Sequence, residues 1–150
     1  SGERTPHNDP RATGTFGGLD HEIERVDLGR AVLEGVAFAF ADVQASLLAA
    51  GSTLDSVSVI GGGARSRLWG RIMASVLDRP LVYRAGGEVG PARGAARLAR
   101  IAVTGESPEA VCTPPPVAFE VEPDARLRDL YGPGLERFRE LYARLRGVFR

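Results

Sequence analysis

The sequence predicts an α/β fold, and three observations carry that prediction. Helical and extended hydrophobic patterns alternate along its 150 residues, the mark of a layered structure of helices on a sheet. The run Val57-Ser58-Val59-Ile60 stops at Gly61-Gly62-Gly63, and a helical pattern opens directly behind it; this is a strand, a turn without side chains and a helix N-terminus. Only two or three stretches read clearly as strands against three substantial helices. The α/β domain is therefore expected to be incomplete, a piece of a larger protein that holds the rest of the sheet.

Composition narrows the function. With 43% hydrophobic and 25% charged residues the chain reads as one soluble globular domain with a real core. Its formal net charge of zero excludes the electrostatic footprint of a nucleic-acid or membrane-surface partner. Every basic residue is an arginine, 19 in all, spread through every segment. The spread reads as compositional bias, and it leaves no lysine to clamp a phosphate or form a Schiff base. Cys112 stands alone beside Thr113-Pro114-Pro115-Pro116 and reads as incidental, so no disulfide framework or cysteine metal site is expected. Ser1-Gly2-Glu3-Arg4 has no signal-peptide pattern and no apolar run reads as membrane-spanning, so a cytoplasmic protein is expected.

Taken in order, residues 1–26 read as a loop region, irregular above all over 1–18, where Gly, Pro, Thr and Asn dominate. A long helix is predicted from Asp27, as its cap, to Ala50, ended by Gly51. Leu28, Ala31, Val32, Val36, Ala39, Phe40, Val43 and Leu47 recur at helical spacing and are its expected buried positions. Residues 54–60 are a strand and 65–77 a helix with an apolar face of Leu68, Ile72, Met73, Val76 and Leu77. Trp69 and Met73 read as core. Residues 80–83 form a second strand, adjacent and parallel to the first because a right-handed helical crossover is the usual connection. The turn Gly86-Gly87-Glu88-Val89-Gly90 leads into a helix over 91–103, with Pro91 in its first turn and a small-residue face of Gly94, Ala95, Ala96 and Ala99. Beyond the prolines at 114–116 an extended piece, 117–121, precedes an amphipathic helix over about 124–148. Gly132-Pro133-Gly134 should kink or break that helix.

The triple glycine is the candidate site. Such a turn lets a ligand approach bare backbone, where unpaired N–H groups and the positive end of a helix dipole point outward. Its spacing is neither that of a Rossmann fingerprint nor that of a P-loop, so by itself it is not specific, and a plain tight βα turn is the alternative.

Four segments, in this order and spacing, carry a resemblance: Ser1-Gly2-Glu3-Arg4-Thr5-Pro6-His7-Asn8-Asp9-Pro10, Ala31-Val32-Leu33-Glu34-Gly35-Val36, Gly61-Gly62-Gly63-Ala64-Arg65-Ser66, and Gly86-Gly87-Glu88-Val89-Gly90-Pro91-Ala92-Arg93-Gly94-Ala95-Ala96-Arg97-Leu98-Ala99. Together they resemble the C-terminal portion of the xylulokinases, within the FGGY family of carbohydrate kinases. The resemblance covers essentially the whole chain. It implies part of a ribonuclease-H-like domain of the actin and hexokinase type, the C-terminal half of a two-domain sugar kinase. Residues 1–26 would be its loop region, 27–104 the nucleotide-binding α/β core, and 105–150 a C-terminal extended segment and helix.

The implied activity is transfer of the γ-phosphate of ATP, with Mg²⁺, to the 5-hydroxyl of D-xylulose. Another sugar or polyol kinase of the same family, or a non-catalytic binding module of the same fold, are the alternatives. The catalytic aspartate and the first phosphate loop have no matching positions here and would belong to a missing N-terminal domain; Asp9, Asp20 and Asp27 do not replace them. No catalytic or metal-binding residue is therefore assigned, and the fragment alone is expected to be inactive. The resemblance implies an adenosine side made of Gly61, Gly62, Gly63, Arg65 and Ser66, with Ser66 reaching the adenine and Arg65 covering it. Gly90 and Gly94 match an interdomain hinge helix. Arg93 departs from the family's usual apolar residue, so it should snorkel, pair with an acid such as Glu88, or sit on a less buried helix. ATP and the sugar are the expected partners, and a homodimer is left open.

Overall fold

The structure, a computed structural model, describes residues 2–149. Three strands form one sheet in the order β1 (Val57–Val59), β2 (Leu81–Arg84), β3 (Val117–Val121). β1 and β2 run parallel, with Val57 opposite Leu81 and Val59 opposite Tyr83, as the crossover argument predicts. β3 returns antiparallel to β2, with Leu81 opposite Val121 and Tyr83 opposite Phe119.

The crossover between β1 and β2 is α2 (Arg67–Leu77). It lies over the sheet, and its other side meets α1 (Arg25–Ala49) and α5 (Ala125–Leu145). Two clusters make the core. Ala41, Ala74, Leu77, Leu81 and Tyr83 join α1, α2 and the sheet, and Ala37, Phe38, Ile72 and Tyr131 join α1, α2 and α5. The remaining helices, α3 (Gly90–Thr104) and α4 (Pro108–Val111), lie outside this core, and α3 buries none of its residues.

Several expectations are corrected. α1 starts three residues early: Glu24 is the N-cap and Asp27 is the third helical residue, whose carboxylate accepts the Glu24 N–H at 3.0 Å in a capping box. Its buried stripe is Ala37, Phe38, Ala41 and Asp42, whereas Val32, Val36, Phe40 and Leu47 are exposed. α1 is apolar around most of its circumference, so periodicity does not choose the inward stripe; the small Ala37 and Ala41 do, by letting α2 and α5 approach. The same apolar run makes α1 long and apolar enough to cross a membrane by length and composition alone, contrary to the sequence reading. Here it is a core helix that holds Asp42 in an ion pair with Arg139.

α5 runs unbroken through Pro133. Pro133 faces solvent, and Tyr131 and Leu135 on either side are held in the core. Gly134 has a packing reason: a Cβ there would come within 2.9 Å of the Phe38 ring. α4 adds a short helix within the segment expected to be extended; Ser107 caps it by accepting from the Ala110 N–H, and exposed Cys112 closes it. Leu68, expected inward, is exposed.

Candidate functional site: two glycine turns at the ends of parallel strands

Because β1 and β2 are parallel neighbours, their C-terminal ends open on the same edge of the sheet, where α/β folds place ligands. Each strand continues into a glycine-containing 3₁₀ turn, Gly62–Arg65 after β1 and Gly87–Val89 after β2. The turns are fastened to each other by the Gly61 N–H, which donates to the Gly87 carbonyl at 2.9 Å. Between them and the start of β3 lies a cleft of about 360 Å³, within the usual range for small-molecule sites.

The three glycines are not equivalent. Gly61 has φ +88°, a conformation that side chains rarely adopt. At Gly63 a Cβ would overlap the Trp69 indole, so this glycine lets the turn lie on the tryptophan. Gly62 has neither reason: its φ is not in the left-handed region and no atom lies within 4 Å of where its Cβ would be. Its missing side chain leaves bare backbone facing open space.

Ser66 is the N-cap of α2. Its hydroxyl oxygen accepts the Trp69 backbone N–H at 3.2 Å, and its own O–H donates to no group among the described residues. Arg65 is exposed and lines the cleft. Of the five predicted residues only Arg65 lines the cleft; Gly61, Gly62, Gly63 and Ser66 lie beside it on the same turn.

Gly90 and Gly94 lie apart, on α3. A Cβ at Gly90 would touch Ile60 at 3.5 Å, so the helix start rests on the end of β1, whereas Gly94 faces open space. Arg93 is half-buried and donates Nη1 to the Ala85 carbonyl at 3.0 Å; it does not pair with Glu88. The helix carrying it is unburied, so no guanidinium is stranded in a core.

Sequence reasoning missed the second wall of the cleft, formed by Tyr83, Gly86, Gly87, Glu88 and, from β3, Phe119. The signal was present: Leu81-Val82-Tyr83 followed by Gly86-Gly87 repeats the strand-then-glycine pattern of β1. Tyr83 stacks on Phe119 at 4.4 Å, and its phenol is pushed above its ordinary pKa by burial, which the nearby Arg67 charge partly offsets.

Residues 1–103 match the C-terminal domain of the FGGY family of carbohydrate kinases. The chain belongs to that family. This FGGY domain is 48% identical over 146 residues to the xylulose kinase of Escherichia coli K12, covering 97% of the chain and 30% of that protein. Among solved structures it resembles a kinase from Brucella ovis, with a TM-score of 0.82, 42% identity, and coverage of 95% of this chain and 30% of that one. The xylulose kinase of Rhodospirillum rubrum follows with a TM-score of 0.76, 37% identity, and coverage of 94% and 29%. The fold is that of the FGGY sugar kinases, related to actin and hexokinase, and the chain spans about 30% of the length of the curated relatives it matches along nearly its whole length.

Proposed function

We propose that this FGGY domain supplies the adenosine side of an ATP-dependent kinase that phosphorylates D-xylulose to D-xylulose 5-phosphate. Support for the sugar comes from the 48% identity to a xylulose kinase along nearly the whole chain. Support for the site comes from one observation above all: Gly62 is a glycine that neither its own backbone conformation nor its packing requires. A nucleotide lying along this turn would require it, because a side chain would occupy the ligand's place.

In this reading residues 27–104 form the nucleotide-binding core. The Gly61–Gly63 backbone supports the nucleotide, the free Ser66 O–H donates to the adenine, and Arg65 covers the base. The open face of α3 around Gly94 is available to a counterpart at the hinge. The nucleotide delivers the phosphoryl group, and this chain's part is positioning, which governs much of the rate in phosphoryl transfer. Among the described residues no group of three or more His, Cys, Asp or Glu side chains is arranged to hold a metal ion. Mg²⁺ in kinases is held largely by nucleotide phosphates and water with one or two carboxylates, so it would come with the ATP, and no step is assigned to this chain through it. Proton transfer from the sugar belongs to a base outside this chain.

The test is Gly62→Val in the complete kinase. Space at this position is open, so the fold should tolerate the change, and thermal melting checks that. The KM for ATP should rise about tenfold or more while that for xylulose stays near its original value. Unchanged ATP kinetics in a folded Gly62→Val enzyme would mean that the glycines only make a turn.

A further inference from the structure

The cleft between the two glycine turns offers few groups able to recognise a flat, polar heterocycle. Phe119 is already engaged: Tyr83 stacks on it with an interplanar angle of 12°, and the Arg67 guanidinium carbon lies 4.2 Å from its ring centroid. Tyr83 is only 5% exposed. Arg84 donates Nη1 to the Pro115 carbonyl at 2.9 Å. The carbonyls of the second turn are also engaged, Ala85 by Arg93, Gly86 by the Val89 N–H and Gly87 by the Gly61 N–H. Two charged groups lining the cleft are left, Arg65 on the first turn and Glu88 on the second. Both are exposed, and neither has an ion-pair or side-chain hydrogen-bond partner among the described residues.

Resting on the ATP reading above, we propose that Glu88 selects the base of the nucleotide. Its carboxylate accepts a hydrogen bond from the exocyclic 6-amino group of adenine while Arg65 lies over the ring face. Arginine suits the second task because its planar guanidinium stacks on aromatic faces. Glu88 suits the first because an ionised carboxylate only accepts. Adenine presents a donor at its 6-position, where guanine and hypoxanthine present an acceptor oxygen. Two acceptors facing each other repel, so the same carboxylate that holds adenine disfavours the other two purines.

The experiment compares ATP with ITP, whose base differs from adenine by an oxygen in place of the 6-amino group, in the complete kinase at saturating xylulose. The wild-type protein should prefer ATP by about tenfold or more in kcat/KM, the scale of one hydrogen bond to a charged group. Glu88→Ala should lower kcat/KM for ATP about tenfold, leave ITP nearly unchanged and so collapse the preference. Glu88→Gln, whose amide can accept from adenine or turn its NH₂ toward the 6-oxo group, should keep most of the activity with ATP, raise that with ITP and so weaken the preference. The KM for xylulose should not move in either variant.

A wild-type preference for ITP, an ATP preference that survives Glu88→Ala, or equal losses on both nucleotides would each overturn the assignment. If Gly62→Val impairs ATP use while the ATP preference survives Glu88→Ala, only the role of Glu88 fails. If Gly62→Val is also silent, the nucleotide reading fails with it.

Discussion

Arg139 donates Nε to the Asp42 carboxylate at 2.7 Å, tying α5 to α1 across 97 residues of sequence. The pair is asymmetric: the Asp42 side chain is 9% exposed and that of Arg139 is 47% exposed. Removing the arginine therefore leaves a nearly buried carboxylate without its counter-charge, whereas the arginine could always turn to water. Arg139→Met should cost about 1–3 kcal/mol, below the range for a fully buried pair because the guanidinium is half in solvent. Replacing both partners, Asp42→Leu with Arg139→Met, should recover part of that loss. Urea unfolding of wild type, Asp42→Leu, Arg139→Met and the double variant measures the coupling, and equal stability of Arg139→Met and wild type would show that the pair contributes nothing.

Gly61 and Gly62 should separate in stability. Gly61 combines φ +88° with ψ −172°, a region essentially reserved for glycine, so Gly61→Ala should cost about 1–3 kcal/mol. Gly62→Ala meets open space at an ordinary φ and should be neutral to slightly stabilising, by at most about 1 kcal/mol, since alanine restricts the unfolded chain. Melting temperatures of the two variants decide this, and equal losses would mean the turn is shaped differently.

Ser66 does two jobs in this scheme, and substitution can part them. Ser66→Ala removes the cap of α2 and should cost about 1 kcal/mol of stability whether or not a nucleotide binds. Ser66→Asn restores a cap acceptor with a bulkier side chain. It should therefore melt close to wild type yet show a raised KM for ATP. A Ser66→Asn enzyme with both properties unchanged would confine the serine to capping.

The junction of α3 and α4 should report on acid. The Arg100 guanidinium, with help from the Thr104 hydroxyl, holds the Glu106 carboxyl at about 2, below its ordinary 4.5. A carboxyl depressed on folding stabilises the native state at any pH above its unfolded value and loses that contribution as pH falls through its folded value. The window is therefore pH 4.5 down to about 2. Glu106→Gln should flatten the melting temperature against pH inside that window, lie slightly below wild type above it and converge with wild type at its acid end. The effect should be small and reduced by added salt, because the pair is exposed. Identical pH profiles for variant and wild type would contradict it.

Where local chemistry decides the structure, the sequence was legible. A β-branched run ending at three glycines has few other uses, so β1, the turn and α2 could be placed, and with them the parallel pairing to β2. The errors arise where tertiary contact decides. On α1 every face is apolar enough to be buried, and only the positions of α2 and α5 select Ala37, Phe38 and Ala41. In α5 the Gly-Pro-Gly triplet carries a strong local signal for a break. It is overridden because Tyr131 and Leu135 fasten the helix on both sides and Gly134 makes room for Phe38. The prolines at 114–116 masked the cap signal of Ser107-Pro108 that starts α4. At the candidate site the residues of the first turn could be named because they are contiguous. Phe119 is brought to the cleft by the antiparallel return of β3, a contact that no local pattern encodes.

The chain has a single tryptophan, and it is the one that lies beneath Gly63, its indole N–H buried without a partner. The protein thus carries its own optical reporter at the edge of the candidate site. In this chain by itself, emission excited at the red edge of the absorption band comes from one place, and its colour and intensity follow the solvation of that indole. Any ligand that presses on the glycine turn changes the light from Trp69 without a label or a coupled assay.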